Sequence, residues 1–226
     1  MLNKVYQVKM GSHSAWLYGQ PGHWMLIDAG TRRAEPVLQE RLQALECTVA
    51  ELALIVLTHS HYDHVGAVST LLKRAKIPVM IHECEKEVVK SGSFNMPDGF
   101  TFWSKAFAYG VRHFVPFFLV SYQPFEANVF VKEETRLESY GFHAAAVPTP
   151  GHAAGCISVL TDDGLLFAGD LAVNRPYYGI WKHMSPFGDS QEEIKKQWRA
   201  LIDRGAKTVY PGHGDPFPVK ALVQYL

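Results

Sequence analysis

His59-Ser60-His61-Tyr62-Asp63-His64 directly follows the apolar run Leu52-Ala53-Leu54-Ile55-Val56-Leu57, setting three imidazoles and a carboxylate at the end of a buried strand. Borderline-soft divalent cations bind imidazole nitrogen and carboxylate oxygen, and residues two apart in extended backbone point the same way. His59 and His61 can therefore converge on one ion, and Asp63 with His64 can face a second. Working outward, residues 4–9, 14–18 and 24–28 are β-prone runs separated by Gly-Ser and Pro-Gly turn signals, the pattern of an antiparallel meander. Pro36 suits the first turn of a helix whose apolar stripe is Val37, Leu38, Leu42 and Leu45. Val65 to Lys76 predicts a helix after the histidine loop, and Pro78 to Ile81 a short strand.

The second half repeats this alternation without a detectable sequence repeat. Strands are predicted near 129–131, 142–147, 156–160, 164–168 and 207–210, and a helix from Ser190 to about Ile202. Ser190 and Glu193 have the spacing of a capping box, with Ile194, Trp198, Leu201 and Ile202 on the buried side. Strands and helices mixed in both halves indicate a layered α/β or α+β domain spanning 1–226, with sheets inside and helices outside. Between the halves, an aromatic-rich helical insertion is expected at about 92–127. Phe100, Trp103, Phe107, Val111, Phe114 and Phe118 fall at helical spacing, interrupted by Gly110 and Pro116. Such a stripe can pack on the core, or it can form a lid, an apolar pocket wall or a homodimer surface.

Composition excludes several function classes. Lysine plus arginine balances aspartate plus glutamate at 22 each, with no long like-charge run, so nucleic acid is not an expected partner. Cys47, Cys84 and Cys156 are too widely spaced for a redox pair or zinc knuckle and read as reduced thiols. The first residues lack the apolar run of a signal peptide, and no apolar stretch approaches the roughly 18 residues of a membrane span. The expectation is a cytoplasmic protein that acts on a small molecule, away from membranes.

Three further groups sit where a loop follows a strand: Thr149-Pro150-Gly151-His152, Ala168-Gly169-Asp170 and Pro211-Gly212-His213-Gly214. Glycine beside each candidate ligand lets the backbone turn sharply near an ion. With Ile27-Asp28-Ala29-Gly30, these motifs and the histidine cluster match in order the pattern of the metallo-β-lactamase fold superfamily, which the chain resembles over nearly its whole length. The resemblance implies a four-layer αββα sandwich with two divalent ions, zinc foremost and iron or manganese as alternatives, at the edge between the sheets. Carried over residue by residue, His59, His61 and His152 would hold the first ion, Asp63, His64 and His213 the second, and Asp170 would bridge them. Two Lewis acids so placed would activate water for attack on an ester-, thioester- or lactone-type carbonyl, with Asp63 as ligand and orienter of that water. His13, His23, His82, His113, His143 and His183 are left outside this set as ordinary histidines.

Among superfamily members, glyoxalase II is the closest look-alike in the motif loops, down to Thr58 before His59. True glyoxalase II adds a C-terminal helical domain that contacts glutathione, whereas this chain ends at Leu226, so the resemblance is to a glyoxalase II-like hydrolase without that grip. Asp170 stands where one class of zinc β-lactamase has cysteine, which disfavours that class while leaving other β-lactamase-like activity open. Homoserine-lactone lactonases have a tyrosine three residues after the bridging aspartate. Here that residue is Val173, with Tyr177 or Tyr178 as substitutes from the same loop. Trp103 and Phe107 are the pocket candidates from the aromatic segment. The runner-up chemistry is a persulfide dioxygenase-like enzyme, which would use only the first histidine pair, His152 and Asp170 around one iron.

Overall fold

Both faces of most strands meet apolar neighbours, which is why several strand sequences read as continuous apolar runs rather than alternations. The computed structural model describes residues 3–93, 96–116, 119–175 and 182–226. An antiparallel meander of β1 (Lys4–Met10), β2 (His13–Gln20) and β3 (His23–Ile27) continues through parallel β4 (Leu52–Val56), β5 (Val79–His82) and β6 (Val129–Val131) into a six-stranded sheet ordered β1 to β6. The second sheet, ordered in reverse, contains β7 (Thr135–Arg136), β8 (Ala144–Pro148), β9 (Ile157–Thr161), β10 (Leu165–Gly169), β11 (Thr208–Pro211) and β12 (Phe217–Pro218). Among the described residues, only β10 and β11 pair in parallel there.

Side-chain alternation sorts the core into three apolar layers. In β2, Trp16 and Tyr18 enter the space between the sheets while Ala15 and Leu17 turn outward; in β8, Ala144 and Ala146 point in while Ala145 and Val147 turn out. The first outer layer lies under α1 (Glu35–Ala44), which buries Leu38 and Leu42, and the second under α6 (Gln191–Asp203), which buries Ile194, Trp198 and Leu201. The result is the expected four-layer αββα sandwich. Each fully buried large side chain contributes on the order of 1.5–3 kcal/mol, so Trp24 and Trp198 are major anchors of the two outer layers.

Local readings needed three corrections. The helix expected over Val65 to Lys76 is instead two short ones, α2 (Tyr62–Val65) and α3 (Val68–Leu72), and the first begins inside the histidine motif. They part at Gly66, where a Cβ would stand 2.2 Å from the Arg32 backbone nitrogen, so the chain packs too closely there for any side chain. Ser190 caps α6 by accepting from the Glu193 N–H at 3.2 Å, but the Glu193 carboxylate turns to Gln197 and Lys196, because the Ser190 N–H already donates to the Gly151 carbonyl. After α4 (Lys86–Ser91), the aromatic segment forms α5 (Phe102–Phe114), which runs through Gly110 without a break and ends before Pro116. A short α7 (Lys220–Val223) follows β12.

Candidate metal centre

Four loops at one edge of the sandwich carry the candidate ligands, and cross-sheet bonds hold these loops together. The Trp16 indole N–H donates to the Pro211 carbonyl at 3.0 Å, the Ser14 N–H to Gly212 O at 2.8 Å, and the Ile157 N–H to Thr58 O at 2.8 Å. Gly212 admits this close approach: a Cβ there would stand 2.6 Å from His64 Cε1 and 2.7 Å from Asp170 Oδ1.

The ring nitrogens are oriented by their outer partners. The Nδ1–H of His64 donates to Asp28 Oδ2 at 2.8 Å, that of His152 to the Phe187 carbonyl at 2.9 Å, and that of His213 to the Ser12 carbonyl at 3.0 Å. Thr58 gives its hydroxyl proton to Asp28 and so accepts from His59 Nδ1 at 3.0 Å. Each of these four rings therefore turns Nε2 inward. Asp28 reaches two of them, one directly and one through Thr58, from a left-handed backbone with φ of 59°, a strained setting that persists at sites where a side chain must be aimed. The sequence contained Asp28 in a matching motif, but its supporting role follows only from contacts with residues about thirty positions away.

The inward atoms fit metal ions. His59 Nε2, His64 Nε2 and Asp170 Oδ1 are buried without a hydrogen bond among the described residues; the last two still face each other at 3.4 Å, whereas His59 Nε2 is left with the cost of about 1–3 kcal/mol that an unmet buried group has unless a ligand meets it. Ligand atoms around a cation at 2.0–2.1 Å stand roughly 3.0–3.4 Å apart. His61 Nδ1 and His152 Nε2 are 3.2 Å apart, Asp170 Oδ1 is 3.3 Å from His213 Nε2 and 3.4 Å from His64 Nε2, and Asp63 Oδ2 is 3.5 Å from His213 Nε2. Asp170 Oδ2 faces the other way, 3.7 Å from His152 Nε2, so one carboxylate spans the two groups. All seven ligand candidates lie at this edge, and the donor atoms within 4.8 Å of one another fall into His59–His61–His152, His59–His64–Asp170 and a group of Asp63 and His213, so His64 stands nearer His59 and Asp170 than the expected set with Asp63 and His213 has it. His13, placed among the ordinary histidines, also reaches this edge, 3.2 Å from Asp63 Oδ2. A lone histidine in a hairpin far upstream of the motif has no sequence signal that would find it.

Electrostatics differ between the two halves. Burial, reinforced by neighbouring imidazoles, pushes His59 well down and His61 down to about 3, and burial also lowers His152. Burial acts the same way on His64 and His213, but carboxylates outweigh it: Asp28 and Asp170 hold His64 well up, and Asp170 with Asp63 lifts His213 to about 10. Against the pull of burial, Asp63 and Asp170 are themselves held well below the carboxylate range by these imidazoles. Metal-free protein at neutral pH therefore has a first group free of competing protons and a second group that must release them. Calorimetric zinc titration in buffers of different ionisation enthalpy should show little proton release for the first equivalent and clear release for the second. The second affinity should rise with pH above neutrality, as the raised His64 and His213 imidazoles give up their protons.

His61, Asp63, His152, Asp170 and His213 floor a cavity of about 210 Å³ whose wall includes Phe107 and Val111 of α5 together with Met96, Pro97 and Phe187. Phe107 is 45% exposed, and its ring lies 5.7 Å from that of Phe187. Trp103 does not line this cavity: it stands 66% exposed on another side of α5, beside Phe102. Tyr177, Tyr178 and Phe118 lie outside the described residues. Cys156 is fully buried, its thiol pushed well up by burial, and it is absent from the ligand groups.

The profile of a family described as the metallo-beta-lactamase superfamily matches residues 8–213. A probable metallo-hydrolase of Methanocaldococcus jannaschii is 28% identical over 218 residues, covering 95% of this chain and 93% of that protein. A hydroxyacylglutathione hydrolase of Aeromonas hydrophila is 49% identical over 57 residues, 25% of this chain and 20% of that protein. Among solved structures, a metallo-beta-lactamase family protein of Thermus thermophilus has the same fold, with a TM-score of 0.69 at 22% identity over 99% of this chain and 77% of that one.

Proposed function

We propose, because this chain belongs to the metallo-beta-lactamase superfamily, that its cavity hydrolyses an ester- or thioester-type carbonyl whose substituents are largely apolar. Metal-dependent hydrolysis is the activity of the class to which the chain and its relatives belong. The observation that carries the finer reading is the pairing of unsatisfied, inward-facing ligand atoms with an apolar wall in one cavity. Two divalent cations, zinc in this reading, would acidify a water molecule and stabilise the negative charge that develops on the carbonyl oxygen. His59, His61 and His152 would hold one, Asp63, His64 and His213 the other, with Asp170 between them. Asp63, held charged, would accept a hydrogen bond from the attacking water and orient it. No lysine or arginine lines the cavity among the described residues, which favours an uncharged acyl or leaving group next to the reacting carbon. The match to a hydroxyacylglutathione hydrolase over 57 residues supports a thioester as the first substrate to try.

The test is a panel of neutral thioesters, esters, lactones and a β-lactam, run on zinc-loaded and chelator-stripped protein. Hydrolysis that is strongest for apolar thioesters or esters and is lost on stripping supports the reading. Activity confined to the β-lactam, or unaffected by stripping, overturns it. The wall gives a second expectation: Phe107→Ala should weaken apolar substrates by about 1–2 kcal/mol, read as a higher KM, because the ring faces them. Trp103→Ala should leave KM and substrate preference unchanged.

A further inference from the structure

The geometry points to His13 as a sixth imidazole of the dimetal centre, a ligand of the second ion beside Asp63 and His213; this inference rests on the two-ion reading proposed above. His13 Nδ1 lies 3.2 Å from Asp63 Oδ2, and Asp63 Oδ2 lies 3.5 Å from His213 Nε2. A ring nitrogen of His13, a carboxylate oxygen of Asp63 and a ring nitrogen of His213 all fall within 4.8 Å of one another. These separations match those among the other candidate ligands, so His13 joins a continuous chain of donor atoms running through Asp63, His213, Asp170 and His64. The His13 and His213 rings are 5.1 Å apart at 75°, much as His64 and His213 are 5.6 Å apart at 69°.

The backbone holds His13 in this place. It opens β2 after the Gly11–Ser12 turn, and both of its neighbours are tied to the His213 loop: the Ser12 carbonyl accepts the Nδ1–H of His213, and the Ser14 N–H donates to Gly212 O. The Gln7 amide further bonds Ser14 Oγ at 2.8 Å and Gly214 O at 3.1 Å. A residue fixed on both sides along the chain, with a side chain only 17% exposed, loses little freedom on binding an ion. With Asp63, His64, His213 and the shared Asp170, His13 would bring the protein donors on the second ion to five, the upper number zinc accepts, and the water would then sit on the first ion.

Cobalt(II) is the probe. Metal-free protein labelled with 15N-histidine is titrated with cobalt while visible absorption reports each equivalent and proton NMR counts the hyperfine-shifted imidazole N–H signals. With two equivalents the expected set is His13, His59, His61, His64, His152 and His213. His13→Ala should lose one of these signals and weaken the second equivalent at least tenfold, leaving the first unchanged. His13→Asn, whose amide can still donate to Asp63, should not restore the second affinity. Two equivalents without a His13 signal in the wild-type protein, or full rescue by asparagine, would remove His13 from the ligands while leaving the two-ion hydrolase standing. Uptake of only one equivalent by the wild-type protein would sink both.

Discussion

His61→Ala should lose at least about a thousandfold in turnover while keeping the circular dichroism spectrum of the parent. In the proposed two-ion reading the first ion would depend on three imidazoles, and His61 Nδ1 faces His152 Nε2 at 3.2 Å across the space that ion would occupy. Removing one of three ligands leaves a site too weak to hold the cation at ordinary concentrations, and with it goes a major electrostatic stabiliser of the transition state. The fold should survive because His61 belongs to the loop between β4 and α2, whose packing rests on Leu57, His64 and Val65. Metal content and spectra measured on the same sample provide the check. A variant with parental metal content and parental turnover would refute the assignment of the first group.

His213→Ala should reduce bound metal from about two ions to about one and cut turnover by roughly a hundredfold or more, the scale of losing one main stabiliser of developing charge. This substitution separates two chemistries. A two-metal hydrolase needs the second group, whereas a single-iron dioxygenase-like enzyme needs only the first pair, His152 and Asp170. In the structure, His213 Nε2 lies 3.3 Å from Asp170 and 3.5 Å from Asp63, and its own Nδ1–H is anchored on Ser12. Such a pre-oriented ring suits a second cation, a role that the one-iron reading leaves unused. Asp170 cannot serve for this test, because its two oxygens face both groups. Full metal and full activity in His213→Ala would make the one-iron account the better one.

Local sequence marks residues that act through their neighbours in the chain, and it fails for residues that act through neighbours in space. The strand runs ending at Val56, Gly169 and Pro211, and the ligands just beyond them, were legible because strand period, glycine turns and ligand chemistry coincide within a few residues. The break at Gly66 was not legible, since a helical pattern continues across it while the Gly66 N–H donates to Gly30 O and His64 O accepts from the Ala29 N–H, diverting helix bonds to a loop over thirty residues away. The aromatic stripe predicted α5 and left open which rings face the cavity. Docking of α5 beside Phe187 turned Phe107 toward the ligands and left Trp103 in solvent.

The sequence by itself determined the layered mixture of sheets and helices, because apolar periodicity dictates which faces are buried, and it offered seven candidate ligands through the ordered motifs it shares with the superfamily. Tertiary structure alone decided three further matters. It aimed Asp28 at His64 and Thr58, it split the imidazoles into a proton-free group and a proton-holding group, and it brought His13 from a distant hairpin against Asp63. All three depend on distances of a few ångströms between residues tens to hundreds of positions apart, and those distances are set by how the two sheets pack at one edge.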